Sequence, residues 1–70
     1  MLTGTISDFD PDGLFGVIDA DDGHLVLFNL RTVETAFRDQ LKVGTRVSFD
    51  ERAGEVAPRA IALSPIVTAN

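Results

Sequence analysis

Carboxylates are concentrated in the first half of the chain, and one run of them has the spacing of a calcium-binding loop. Asp8, Asp10 and Asp12 alternate, Gly13 follows, and Asp19 stands at the twelfth loop position. Oxygens at loop positions one, three, five and twelve with glycine at six can surround a hard cation. The seven residues before Asp8 are rich in β-branched side chains, which argues against an entering helix. An acidic hairpin turn with solvated carboxylates is therefore the favoured interpretation, and weak divalent-cation binding is the minor alternative.

Groups for covalent or acid–base catalysis are sparse. The chain has one histidine, no cysteine and no tyrosine, and its carboxylates cluster in turns. No nucleophile, base and oxyanion partner can be identified together. His24 is expected to be a strand residue and not a ligand or a base. The sequence therefore predicts neither an enzyme nor a cofactor.

The charge is divided unevenly along the chain. Residues 1–30 contain six aspartates and no lysine or arginine, whereas residues 31–70 contain six basic and five acidic side chains. The formal net charge of −5 thus arises in the first half. Proteins that neutralise phosphates usually cluster lysine and arginine on one face. This distribution argues against a strongly nucleic-acid-binding first half, but a local basic edge elsewhere could still act, because charges are screened within about 8–10 Å.

Hydrophobic alternation between turn residues predicts five strands, at 3–9, 14–19, 24–28, 46–50 and 56 to about 66. A start of the fifth strand at 59 is the alternative, because Pro58 cannot donate to a central ladder. In the first, strict alternation places Thr5, Ser7 and Phe9 on one face and Ile6 and Asp8 on the other. Turns are predicted at 10–13, 21–23 and 53–54.

A helical pattern separates the third and fourth strands. Leu30, Val33, Phe37 and Leu41 recur at helical spacing, and Gly44 follows as a helix stop. A short helix or helical turn is predicted here. We expect one domain over 1–66 with a C-terminal tail at 67–70. The sequence has no cysteine, no signal segment and no membrane-spanning run, so we also expect a cytoplasmic chain.

Five short strands with a longer excursion after the third predict an all-β fold, a small five-stranded antiparallel Greek-key barrel of the OB type. From Met1 to about Ile66 the chain resembles the bacterial cold-shock domain family. The resemblance depends on the order and spacing of several landmarks, which are Gly4, Phe9, Phe15, Gly16, Ile18, Phe28, Phe37, Leu41, Gly44, 47–49, Gly54 and 58–60.

The resemblance implies that the second and third strands carry two motifs that stack single-stranded DNA or RNA, yet many motif positions differ. Asp8 stands where the family has its signature tryptophan, and Val17 stands where it has a second aromatic residue. Leu25 replaces phenylalanine and Leu27 replaces histidine. Gly13 stands in place of a lysine. Leu14 stands in place of a glycine.

The nucleic-acid site implied by the resemblance combines retained rings, substituted platform positions and one basic side chain. These residues are Phe9, Phe15, Val17, Leu25, Leu27, Phe28, Phe37 and Arg59. Any of these phenylalanines could instead fill the core, which is the expectation for Phe49. Because stacking is worth about 1–3 kcal/mol per base, the lost rings predict weak, poorly selective binding of single-stranded nucleic acid. The alternative is self-association or protein binding through an apolar face of strands two and three.

Overall fold

The computed structural model describes residues 2–10, 12, 14–33, 35–54 and 57–66. It confirms the all-β fold, with strands β1 (Leu2–Asp10), β2 (Phe15–Ala20), β3 (Leu25–Asn29), β4 (Arg46–Arg52) and β5 (Arg59–Pro65). The predicted turn residues Pro11 and Gly13, and the tail predicted at 67–70, lie outside the described residues.

The five strands form a closed barrel in the order β1-β2-β3-β5-β4, with β4 pairing back onto β1. Neighbouring strands run antiparallel except β3 and β5, which run parallel where Leu27 pairs with Arg59. The Leu27 amide donates to the carbonyl of Pro58 at 2.9 Å. Proline has no amide hydrogen to donate but retains this acceptor. The β3–β5 contact thus places Arg59 beside the middle of β3.

A β-bulge at Ser7 changes the face on which Phe9 lies. Ile6 pairs with Ile18, but Asp8 pairs with Val17, so β1 has one residue more than β2 between these pairs. A bulge of this kind reverses the side-chain alternation beyond it. Phe9 consequently turns toward the interior opposite Gly16, and the predicted shared face of Thr5, Ser7 and Phe9 is wrong.

The core is filled by aliphatic side chains and two aromatic rings. Phe49 is 1% exposed, as expected from the sequence, and Phe28 is 3% exposed. The other buried apolar residues come from all five strands and the connection after β3: Ile6, Ile18, Ala20, Val26, Val33, Leu41, Val47, Ala60 and Leu63. No side-chain polar atom of the described residues is buried without a hydrogen-bond partner.

The predicted helix is reduced to two short turns. A 3₁₀ turn spans Leu30–Thr32 and one α-helical turn, α1, spans Thr35–Arg38. The side chain of Asn29 caps the first turn by accepting from the Arg31 amide at 2.9 Å, and Val33 then adopts an extended conformation. This extended residue interrupts the helical run, so the spacing of apolar residues reflects core packing more than one continuous helix. No helix in the described part of the chain is long and apolar enough to span a membrane.

Candidate nucleic-acid interface

The outward side chains of β2 and β3 form an apolar strip on the barrel surface. Val17 pairs with Leu27 across the two strands, and both side chains are half-buried. Phe15 is 50% exposed at one end of the strip, and Leu25 is 57% exposed toward the other. The structure therefore brings these four predicted site residues onto one face, which we call the β2–β3 strip.

A shallow hollow of about 170 Å³ adjoins the Phe15 end of this strip. Phe15 and Leu27 form part of its wall, and Arg59 contributes the cation. The remaining lining residues are Gly16, Phe28 and Asn29. An exposed ring, an apolar wall and a guanidinium are together the groups that bind a stacked base and its phosphate.

Two predicted stacking residues belong to the interior. Phe28 is buried beneath Gly16, where a Cβ atom would lie 2.4 Å from the ring. Phe9 is half-buried and stacks on Phe28, with ring centroids 6.0 Å apart and planes at 23°. Their ring faces contact each other and the core, so the expectation that Phe9 and Phe28 present open faces to bases is corrected. Phe28 lines the hollow, but its ring is buried and is not available for stacking.

Phe37 is also separate from the hollow. It lies in α1, is half-buried and packs against the core cluster. Its neighbour Arg38 donates through Nε to the carbonyl of Val33 at 3.2 Å, a contact that stabilises the connection itself. Among the five phenylalanines, all of which the structure describes, Phe15 has the exposed ring.

Leu14 occupies a conformation normally reserved for glycine. Its φ is 60°, in the left-handed region, at the position where the resemblance implies glycine. Its carbonyl accepts from the Leu30 amide at 2.8 Å, which ties the start of β2 to the end of β3. The backbone shape before Phe15 is thus maintained although the residue type has changed, at a cost of about 1–2 kcal/mol for a side chain in this region.

The β1 side of the strip is acidic. Asp8 is exposed and pairs with Val17, and Asp10 is exposed and pairs with Phe15. Asp19 is exposed on β2 itself, opposite Leu25 at the far end of the strip from Phe15. Phosphates approaching from β1 would therefore meet carboxylates, and one of them, that of Asp8, stands where the resemblance places a tryptophan.

The calcium-like spelling does not produce a convergent set of ligands. Because β1 and β2 are antiparallel, Asp19 pairs with Thr5 while Asp8 pairs with Val17 two residues closer to the turn. Asp10 accepts from the Asp12 amide at 3.1 Å, which is a turn contact. The described residues contain no group of three or more His, Cys, Asp or Glu side chains arranged to hold a metal ion. Strand geometry thus contradicts the loop interpretation.

Polar contacts at the turn between β2 and β3 fix this end of the barrel. Asp21 forms a two-pronged ion pair with Arg46, with contacts of 2.6 and 2.8 Å, and also accepts from Thr3. These hydrogen bonds, that of Arg46 first, hold the pKa of the Asp21 carboxyl far below its ordinary value. No local sequence pattern identifies this link, because the two residues are 25 positions apart in the chain.

His24 forms a second link in the same region. One ring nitrogen contacts the carboxylate of Asp22 and the other contacts that of Glu51. The hydrogen bonds to Glu51 and then to Asp22 raise the pKa of the His24 imidazole above its ordinary value. His24 precedes β3 and contacts β4 through Glu51, so it connects two elements that the sequence did not place together.

The sequence that forms this barrel can be compared with those of known proteins. Cold shock protein 2 of Lactiplantibacillus plantarum is 32% identical over 65 residues, which cover 93% of this chain and 98% of that protein. The chain belongs to the cold-shock protein family. Cold shock protein 1 of the same organism is 31% identical over 65 residues, with the same coverage. The major cold shock protein of Streptococcus pyogenes is 27% identical over 66 residues, or 94% of this chain and 98% of that protein. No family-level sequence profile matches the chain.

On the outer face of β2 and β3, Phe15 provides the one exposed aromatic ring among the described residues. The substitutions at 8, 17, 25 and 27 replace side chains that the resemblance places on the platform. The bulge at Ser7 and the burial of Phe28 remove two more rings from the outer face. What remains is one exposed ring, an aliphatic strip and a basic residue contributed by β5.

Proposed function

We propose that this protein binds single-stranded nucleic acid at the Phe15 end of the β2–β3 strip, weakly and with little sequence selectivity. In this proposal Phe15 stacks on a base, Leu27 forms the apolar wall beside it, and Arg59 contacts a phosphate. The observation that carries the proposal is the exposed Phe15 ring at a hollow that also contains the Arg59 guanidinium.

The expected weakness follows from the number of available rings. Each stacked base contributes about 1–3 kcal/mol, and stacking tolerates any base because every base has a flat face. Val17 and Leu27 can contact a base edge but have no ring to stack. A single-ring platform should therefore discriminate poorly between sequences and release its ligand readily.

Protein association is the second candidate function, and the exposure of Leu25 favours it. This side chain is 57% exposed at the far end of the strip from Phe15. Exposed aliphatic patches often mark protein contacts. Burial against a protein needs apolar area, whereas base stacking needs a ring, so the two candidates assign different importance to Phe15 and Leu25.

Variants at these two positions separate the candidates. In fluorescence anisotropy with a short labelled oligothymidylate at low salt, Phe15→Ala should weaken binding by roughly 5- to 150-fold, the equivalent of about 1–3 kcal/mol of stacking. Phe15→Leu retains apolar area without a ring and should weaken binding nearly as much. Leu25→Ala is the matched control, since it removes an equally exposed apolar side chain, and it should bind almost normally.

Two results would contradict the proposal. Absence of binding by the unaltered protein at high micromolar concentration would exclude it directly. Equal losses for Phe15→Ala and Leu25→Ala, with Phe15→Leu retaining full affinity, would show that apolar area is what matters and would favour protein association. Because both positions are exposed, thermal unfolding should confirm that each of the three variants remains folded.

A further inference from the structure

Two arginines face each other across β4 and β5, next to the proposed site. Arg52 and Arg59 are direct partners in the antiparallel ladder, and both are exposed. Directly opposed residues have Cβ atoms about 4.5–5.5 Å apart, and like charges in this arrangement are destabilising. The pair therefore costs the fold stability, which calls for a compensating role.

A bulge in β5 creates this pairing. Ser48 pairs with Ser64, but Asp50 pairs with Ile61, so β5 has one residue more than β4 in this interval. Ala62 lies in the left-handed region with φ 52°. Without that residue's displacement, the register set by Ser48 would place Ala60 opposite Arg52. The irregularity thus brings two guanidinium groups together that a regular ladder would separate.

Neither guanidinium is engaged with another described side chain. Among the described residues, the arginine side chains that form hydrogen bonds or ion pairs are those of Arg38 and Arg46. Of the acids next to the pair on β4, Glu51 is committed to His24. Arg52 and Arg59 together line a hollow of about 560 Å³ with Ala53 and Gly54. A Cβ at Gly54 would lie 3.3 Å from Cγ of Arg59, so the loop backbone packs closely along that side chain's stem.

Arg59 joins this second hollow to the first. It lines the hollow of Phe15 and Leu27 on one side and that of Arg52 on the other. The opposite flank of the strip carries exposed Asp8 and Asp10. The surface around the Phe15 ring is thus acidic toward β1 and basic toward β5 and β4.

We infer that Arg52 and Arg59 form a two-arginine phosphodiester clamp, which directs the backbone of a single strand from Phe15 across β5 to β4 and away from β1. The inference rests on the proposed function and adds the ligand group and the path it follows. Guanidinium groups bind phosphate oxygens through paired N–H donors, and adjacent phosphates of one strand can occupy two neighbouring arginines.

The salt dependence of binding tests the clamp. For single strands, the slope of log affinity against log salt is about −0.7 per neutralised phosphate. Arg52→Gln and Arg59→Gln should each make the slope shallower by about 0.7 and weaken binding about tenfold at about 50 mM salt. Lys42→Gln is the matched control, because it also removes one exposed positive charge. Lys42 lies in the connection before β4, and this connection contacts β1 through the Gly44 amide, which donates to the Ile6 carbonyl.

Stability provides an independent readout. If the pair is a clamp, Arg52→Gln/Arg59→Gln should raise the urea midpoint slightly while binding weakens, because the opposed charges are removed. If instead a carboxylate neutralises the pair, the double variant should lose stability and keep its salt slope. That second outcome would overturn the inference.

The failure of the clamp can be distinguished from the failure of the proposed function. If Phe15→Ala weakens binding of the oligothymidylate and Arg59→Gln makes the salt slope shallower, but Arg52→Gln behaves like Lys42→Gln, the clamp is wrong and the proposed function stands. If the unaltered protein does not bind at all, the proposed function fails and the clamp fails with it. A shallower slope for both arginine variants, with Lys42→Gln unchanged, supports the clamp.

Discussion

At the scale of single residues, the contact between Gly16 and Phe28 explains why one expected platform ring is internal. The Phe28 ring occupies the space in which a side chain at residue 16 would lie, and Phe9 stacks on the Phe28 ring. A glycine at the surface strand therefore serves as the cover of an internal ring pair. Because Phe9 and Phe28 pack on each other and on the core, Phe15 is the ring that the strip exposes to solvent.

We expect Gly16→Ala to destabilise the barrel by about 1–3 kcal/mol, the usual cost of overpacking a core. The added methyl group would lie 2.4 Å from Cζ of Phe28 and 2.8 Å from the Asp8 carbonyl, so ring or backbone must move. Urea unfolding followed by circular dichroism measures this change in the free energy of unfolding.

Phe28→Leu provides the coupling test for that prediction. Combined with Gly16→Ala it should cost less than the sum of the two single changes, because the smaller side chain makes room for the methyl group. Gly23→Ala is the control, since its φ of 99° makes alanine strained although nothing lies within 4 Å of the added atom. Its cost should simply add to that of Phe28→Leu. Unchanged stability for Gly16→Ala would contradict the packing described here.

At the scale of elements, His24 connects the turn after β2 to β4. Its imidazole lies between the carboxylates of Asp22 and Glu51, and these contacts raise its pKa. A raised pKa in the folded state means that the protonated form contributes stability. This contribution is complete below the unfolded-state pKa of about 6.5 and is lost as pH rises through the folded-state value.

The barrel should therefore become less stable as the pH rises from mildly acidic to mildly alkaline. Urea midpoints measured across this range should fall for the unaltered protein and change much less for His24→Gln. Because the imidazole is partly exposed, added salt should reduce the effect. The Asp21–Arg46 pair keeps its charges throughout this range, so Asp21→Asn should shift the midpoints without altering their pH dependence. A flat profile for the unaltered protein would contradict the link.

The elements also show which parts of this fold are readable from sequence. Alternation and turn residues predicted all five strands and the long connection after the third, because each depends on local pattern. The bulges at Ser7 and Ala62 were not predictable in this way, since each adds one residue without a distinctive sequence signal. Both have consequences at the site: one turns Phe9 inward, and the other places Arg59 opposite Arg52. Likewise, the core position of Phe28 depends on Gly16 from a neighbouring strand.

At the scale of the whole molecule, the formal net charge of −5 bears on both candidate functions. Two copies of this barrel repel each other at low salt, because the screening length is then long relative to the distance between their surfaces. A single strand is also repelled by the molecule as a whole, but it is attracted locally by arginines on one flank of the strip. In the proposed binding mode we therefore expect charge polarity across the barrel, more than net charge, to decide whether a strand binds.

Salt should consequently act in opposite directions on the two candidate functions. If two arginines neutralise two phosphates, a tenfold rise in salt should weaken oligonucleotide binding about 25-fold. The same rise screens the repulsion between copies and would strengthen any self-association through the strip. We expect anisotropy titrations to show the loss of binding, and sedimentation velocity to show a monomer at both salt concentrations. Oligomers that grow with salt, together with oligonucleotide binding that salt leaves unchanged, would mean that the apolar strip serves a protein partner, because only phosphate contacts release counterions when they form.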